Sequence, residues 1–329
     1  MASLFESITQ SLTPEVMGAI GKATGLDLNQ ATKGFGVVGP LMTSALANRA
    51  STSDGLSGLM NALSPSSSEG LLSDLSKTIS GGGASASIMS GLFGPGLGAM
   101  GGTIDKALGF KVSPLLAMAA PFVLKQLSER MTAQKLDQNG VARLLRDEQT
   151  ALASKTDKAT ATLVQQALDA GKEATSTKAR YPADQWNDVR LGAAAVAVHV
   201  MGASPSGFAG AAKEVMALGK TLAAAKKDAS PTSILSLAFE TDLRTDDFKK
   251  LPEDGAGLVS MVRRAMQAVE TNSPSDAAAY GRLLVDAATH VAEASKEGGF
   301  LGIGGTRVSA QEQQAIDEIR AAVGLTTTV

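Results

Sequence analysis

The chain has no cysteine, and that one absence excludes disulfides, thiolate metal sites, iron–sulfur clusters and cysteine nucleophiles together. Histidine is nearly as scarce: His199 and His290 are the only two in 329 residues, which excludes His-rich metal sites. Aromatic side chains make up 4% of the sequence, with one Trp and two Tyr, so an aromatic-lined ligand pocket is not expected. No charge of one sign dominates. Thirty Lys plus Arg face 32 Asp plus Glu, a formal charge of −2, and no net field draws the chain onto nucleic acid. No apolar run approaches the ~20 residues needed to cross a bilayer. The longest, Val112–Leu124 and Leu191–Met201, read as buried core helices. The start, Met1-Ala-Ser-Leu-Phe-Glu-Ser7, lacks the basic and apolar segments of a secretory signal, and Ala2 removes myristoylation. A soluble cytoplasmic protein without a cofactor is the expectation.

What is present suits a helical core. Hydrophobic residues account for 44% and Ala for about one residue in six, enough apolar material for a packed interior of closely spaced helices. Strand signals, meaning β-branched alternation between tight turns, are nearly absent. The chain is therefore read as all-α, with about ten helices or more. Its length suggests two domains at roughly 150 residues each. Residues 1–100 carry 10 charged side chains and the rest of the chain 52. Residues 64–102 hold ten Ser and ten Gly, a connector composition in which Leu71, Leu72, Leu75 and Ile79 allow one short amphipathic helix. From about residue 155 the composition turns Ala-rich. The expected organisation is a helical domain over 1–153 and an Ala-rich helical domain over 154–329.

The N-terminal region reads as an internal duplication, about 13–63 and 101–150. Ile20-Gly-Lys-Ala-Thr-Gly-Leu-Asp-Leu28 matches Ile104-Asp-Lys-Ala-Leu-Gly-Phe-Lys-Val112. Downstream, Pro40-Leu-Met-Thr-Ser-Ala-Leu-Ala-Asn-Arg49 matches Pro121-Phe-Val-Leu-Lys-Gln-Leu-Ser-Glu-Arg130, and Leu56, Leu59 and Met60 match Val141, Leu144 and Leu145. Each copy predicts a short helix closed by glycine (Gly25, Gly109) in a left-handed cap. A longer helix broken or kinked at an interior proline follows, ending near Arg49 or Arg130, whose charge complements the helix dipole. A further helix completes the unit. In the C-terminal region Ser204-Pro205, Ser230-Pro231 and Ser273-Pro274 each predict an N-cap hydroxyl before Pro at the first helical position. Ser309-Ala-Gln-Glu312 predicts a capping box, with Gly324 closing that helix. Tyr280, Leu283, Leu284, Ala287, Val291 and Ala294 share one face of a helix that starts at Pro274 and stops at Gly298-Gly299.

The repeat blocks resemble the YidB-like bacterial family of unknown function. The similarity is carried by the Gly25-Leu26 and Gly109-Phe110 turns, the Pro40-Leu41-Met42 and Pro121-Phe122-Val123 helices, the Leu92-Phe93-Gly94 connector and the Val141-Ala-Arg-Leu-Leu145 helix. It implies a helical bacterial domain and brings no catalytic residues with it. Pro274 to Leu325 is similar to the helical TerB-like tellurite-resistance group, through a long helix, a Gly turn and the capped Val308-Ser309-Ala-Gln-Glu312 start. The acidic metal-binding pattern of that group is not present, so no metal ligands carry over.

Motifs for chemistry are few. Gly219-Lys220-Thr221 ends like a phosphate loop, but Glu214 stands where the motif needs Gly and the flanks are helical. Gly202-Ala-Ser204-Pro-Ser206-Gly207 fails the spacing of a nucleophile elbow and reads as a helix N-cap. Gly298–Gly305 is a glycine cluster that reads as a tight turn, with an anion at the following helix start as the alternative. His199 lies in the most apolar C-terminal helix and reads as a buried, hydrogen-bonded imidazole rather than a general base. His290 follows Asp286 by four residues and reads as an i,i+4 surface contact. Asp242, Asp246, Asp247, Glu253 and Asp254 lack calcium-loop spacing and read as a solvated loop with helix caps. Arg263-Arg264 and Lys226-Lys227 are too sparse for nucleic acid.

These readings point to a non-catalytic structural or protein-interaction protein that self-associates through helix surfaces. The candidate interaction residues are Ile88, Met89, Leu92, Phe93, Leu97 and Met100, in a Gly-rich apolar stretch over 88–102 that either packs backbone-close against a neighbour or is mobile; exposed, it would be a docking patch. The alternative is a binder of apolar small molecules or of a membrane surface through the same stretch, although it has none of the Lys/Arg of interfacial helices. An enzyme using carboxylates alone would need two converging buried acids, and spacing nominates no pair.

Overall fold

The computed structural model describes residues 14–63, 91–204, 211–294 and 308–325. Among these residues the regular structure is helical and no strand occurs, so the protein is all-α. The chain divides into two compact units, Met1–Thr175 and Ser176–Val329.

In the first unit, α1 (Pro14–Thr24) stops at Gly25, whose φ of +72° only glycine adopts without strain. The chain then folds back, Leu26 N–H donating to Gly21 O at 2.9 Å. Asp27 opens α2 (Leu28–Ala50) with a capping box: its Oδ1 accepts from Gln30 N at 2.8 Å, and Gln30 Oε1 accepts from Asp27 N at 3.1 Å. α2 is the central rod. Every residue from Val37 to Ala47 is buried. The helix also runs unbroken through Pro40, where the sequence predicted a break or kink. Proline removes one intrahelical bond, and the burial of the turns on either side of it holds the helix together without it.

Thr52 caps α3 (Ser53–Ala62). α4 (Gly96–Leu108) ends at Gly109, φ +75°. α5 (Ser113–Ala133) spans Pro121 without interruption, and Asp137 caps α6 (Gln138–Lys155). α2 packs on α5 and α6, with Leu41, Leu46, Leu59, Ile104, Leu115 and Leu127 in one apolar core. Val164 and Ala167 of α7 (Lys158–Ala179) join that core. The unit boundary falls inside α7, beyond the composition change at 153/154: Ala-richness marks helix-forming character, not which core a helix packs into. Glycines set the spacing of these helices. A Cβ at Gly34 would lie 2.5 Å from Leu115 Cδ1, and one at Gly96 only 2.8 Å from Gly171 O.

The second unit is built around α8 (Ala183–Ala203), in which Leu191 to Ala197 are all buried. α9 (Ala211–Asp228) and the short α10 (Ile234–Ala238) and α11 (Thr245–Phe248) follow, then α12 (Gly255–Asn272), α13 (Pro274–Ala294) and α14 (Ala310–Ala322). α8 packs on α12, α13 and α14, and α9 lies along α13. The predicted face of α13 is the buried one, including Tyr280, Leu283, Leu284, Ala287 and Val291. Tyr280 is fully buried and donates to Val189 O at 2.8 Å. Gly192 makes room for it, since a Cβ there would lie 2.5 Å from the Tyr280 hydroxyl. Trp186 meets Tyr181 edge-on at 5.5 Å between centroids, with Lys178 Nζ 5.3 Å over the indole.

The caps of this unit agree with the sequence in part. Ser309 and Glu312 form the predicted capping box and Gly324 has φ +73°; α13 begins at Pro274, but the Ser273 hydroxyl makes no capping bond and the residue closes α12 instead. Ser230 does not cap a helix. Pro231 lies in a turn, and Ser233 three residues on caps α10, while Ser230 O accepts from Ser233 N. Ser204 ends α8 as its C-cap, and the start of the next helix lies outside the described residues.

Candidate functional site

Of the six candidate interaction residues, Ile88 and Met89 lie outside the described residues. Leu92 and Met100 are buried in the core of the first unit, and Phe93 and Leu97 are partly buried against it. The four described side chains thus face inward rather than forming an exposed patch. Two glycines, one on each helix, explain why: with no side chain at Gly96 or Gly171, α4 and α7 approach until Met100 Cγ would be 2.9 Å from a Cβ at 171. Its described part, from residue 91 on, packs backbone-close.

The ionisable candidates serve the architecture. His199 is 11% exposed, and its Nε2 lies 2.9 Å from Glu318 Oε2, so the buried, hydrogen-bonded imidazole read from sequence links α8 to α14. His290 pairs with a different helix from the one expected. Its Nδ1 lies 2.9 Å from Thr221 Oγ1 on α9 rather than in an i,i+4 contact with Asp286. Thr221 Oγ1 also lies 2.9 Å from Ala217 O of its own helix. Lys220 and Thr221 both lie inside continuous helix, not in a phosphate loop. Ser206 and the Gly298–Gly305 cluster lie outside the described residues.

The acidic cluster divides between solvent and core. Asp246 is exposed and pairs with Lys249 at 2.7 Å, and Asp254 caps α12. Asp247, by contrast, is buried and meets Arg190 of α8 in a two-pronged pair at 3.0 and 2.6 Å. It also accepts from Arg244 N and Lys250 Nζ. The Arg190 guanidinium, seconded by the Arg244 amide, holds its carboxyl well below the usual carboxylate range. Asp105 behaves oppositely. Burial pushes its pKa up, although its carboxylate accepts from Val112 N and from Ser113 Oγ, the latter at 3.0 Å. Asp105 thereby caps α5, whose own N-cap residue, Val112, has no side-chain acceptor. Desolvation raises the pKa of buried Tyr280 as well. Among the described residues no group of three or more potential metal ligands occurs, and no helix is long and apolar enough to cross a membrane.

One depression in the first unit was not anticipated from sequence. It lies among α2, α6 and α7, lined by Pro40, Ser44, Leu152, Thr156, Val164 and Gln165 among others, and holds about 190 Å³. No ionisable side chain lines it. The only sequence signal for Ser44 was its place four residues after Pro40, on the same helix face.

Comparison with curated proteins and with solved structures gives no match. Comparison with family models matches residues 6–130, described as a bacterial protein of unknown function (DUF937), and gives no support to the TerB-like similarity of 274–325. The N-terminal part of this chain, residues 6–130, thus matches a bacterial family of unknown function, with which the YidB-like resemblance of its repeat blocks is consistent.

Proposed function

We propose that the protein is a non-catalytic bacterial interaction protein that presents helix surfaces to a protein partner, another copy of the chain included. The observation that carries this reading is on α9. One face of that helix, with Glu214, Leu218 and Thr221, is buried, whereas the neighbouring Val215 and Met216 are 43% and 62% exposed. Two adjacent large apolar side chains open to water on a helix otherwise packed by its opposite face provide a small apolar contact. The commitment of His199, His290 and Asp247 to links between helices supports the non-catalytic part of the reading. The expected cytoplasmic location belongs to this proposal and rests on sequence alone.

Sedimentation velocity of the full chain over a wide concentration range tests the self-association. The reading expects an average mass that rises with concentration, and a Val215→Ser/Met216→Ser double variant that stays monomeric. A monomeric mass for the unmodified chain at every concentration, or an unchanged profile in the double variant, overturns association through this face.

A further inference from the structure

We propose that the depression among α2, α6 and α7 binds a small uncharged molecule with an apolar body and one hydrogen-bonding head. Three features of the site carry this. First, its walls are apolar: Pro40 and the buried Leu152 and Val164, with Leu168 partly buried beside them. Second, its polar lining is neutral, made of Ser44, Gln149, Thr156 and Gln165. A charged ligand would lose hydration there with no lining counter-charge to replace it. Third, Ser44 is only 9% exposed, lines the depression and has no hydrogen-bond partner among the described residues. A helical serine commonly satisfies itself on the carbonyl four residues back, as neighbouring Thr43 does on Gly39 O at 3.1 Å. Ser44 makes no such bond to Pro40 O.

The Ser44 hydroxyl opens onto the depression with a donor and an acceptor that no group among the described residues takes up, and a ligand head seated against it can use both. Thr156 lies nearer solvent than Ser44, and the two glutamines already have work. Gln165 donates to Asp169 Oδ1 at 3.0 Å and Gln149 to Asn48 Oδ1 at 3.4 Å, which leaves Ser44 as the principal anchor. At about 190 Å³ the space is smaller than a drug-sized site, which limits the ligand to about one ring, and its half-open form suits a ligand that exchanges rather than one permanently entombed. The site is independent of the α9 surface: all its lining residues belong to Met1–Thr175, whereas Val215 and Met216 belong to the other unit.

Three probes with one shared body separate the contributions: benzyl alcohol, toluene and benzoate, titrated into the full chain and followed by ligand-observed NMR. Saturable one-site binding of benzyl alcohol is expected, with toluene weaker and benzoate absent. Ser44→Ala should weaken benzyl alcohol about three- to tenfold, the worth of one neutral hydrogen bond, and leave toluene within about twofold. Ala161→Leu, at a half-exposed lining position, should abolish both. Gln165→Trp, at an exposed position on the mouth, should do the same without entering the core, and serves if Ala161→Leu fails to fold. The proposal is overturned if benzyl alcohol shows no saturable binding, if benzoate binds equally well, if Ser44→Ala changes nothing, or if the filled and covered variants still bind.

Discussion

At the corner between α1 and α2, the acid that caps the second helix is Asp27, immediately ahead of it in sequence. Between α4 and α5 the same task falls to Asp105, which reaches across from the helix before. The two stretches align residue for residue, Ile20–Leu28 with Ile104–Val112, so that Gly21 stands opposite Asp105 and Asp27 opposite Lys111. The manner in which each first helix ends accounts for the exchange. After α1, Leu26 N–H bonds back to Gly21 O, five residues earlier, which curls the chain over position 21. A Cβ there would lie 2.7 Å from Leu26 O. After α4 the returning bond runs from Gly109 N to Asp105 O, only four residues back. These are the Schellman and simple αL endings. The shorter return leaves position 105 room for a side chain, and that side chain replaces the cap that Lys111 and Val112 do not supply. Similar sequences can therefore turn the same kind of corner by moving one carboxylate, provided the helix ending changes with it.

The largest effect that would break this comparison is Gly21→Asp. Copying the second corner's acid into the first drives a Cβ into the Leu26 carbonyl, and a loss of about 2–3 kcal/mol is expected, read as a lowered midpoint in urea unfolding followed by far-ultraviolet circular dichroism. Asp105→Ala should come next, at about 1–2 kcal/mol, because two hydrogen bonds at the start of α5 lose their acceptor. Asp27→Ala, which removes an ordinary cap, should cost about 1 kcal/mol in the same assay. Gly25→Ala and Gly109→Ala sharpen the comparison by being equal. Both residues are left-handed with open space around the absent Cβ, so each substitution should cost about 1 kcal/mol from backbone strain alone. A gap of more than about 0.5 kcal/mol between them would show that the corners differ in packing as well as capping.

The smallest effect is a slope in pH. Because burial raises the Asp105 pKa above its ordinary 3.8, the folded chain holds that proton more tightly than the unfolded one. Between the two values its contribution to stability must fall as pH rises. Asp247, whose pKa Arg190 lowers, contributes with the opposite sign: its stabilisation is full above 3.8 and is lost as pH falls toward the folded value. Asp105→Asn should therefore remove only the falling component, steepening the acid-side rise in urea midpoint measured from pH 3.5 to 6. An unchanged profile would contradict the burial of that carboxyl.

How much of this was legible in the sequence depended on the distance between partners. Helix ends at Gly25, Gly109 and Gly324, the capping box at Ser309-Glu312 and the buried face around Tyr280 are local patterns, and they stand as read. The burial of His199 followed from its apolar neighbours, but its partner Glu318 is 119 residues away and had no local signature. The same holds for Arg190 with Asp247, 57 residues apart, and for Thr221 with His290, 69 apart. Pattern placed Asp247 among solvated loop acids because nothing nearby in sequence announces a guanidinium arriving from α8. Composition likewise could not tell whether the Gly-rich stretch after residue 88 was packed or open. That was decided by Gly171, on a helix well downstream. The depression was illegible for the same reason, since its walls come from three helices and its anchor is one ordinary serine.

The edge-on meeting of Tyr181 and Trp186 has a practical consequence. With Tyr280, these are the chain's whole complement of indole and phenol rings, and all three fall within Ser176–Val329. Intrinsic emission is therefore a private channel for that half of the molecule, while the half carrying the glycine corners stays optically dark apart from its phenylalanines. In an intact, unlabelled chain, an emission melt that diverges from a whole-backbone melt would time the loss of each half separately.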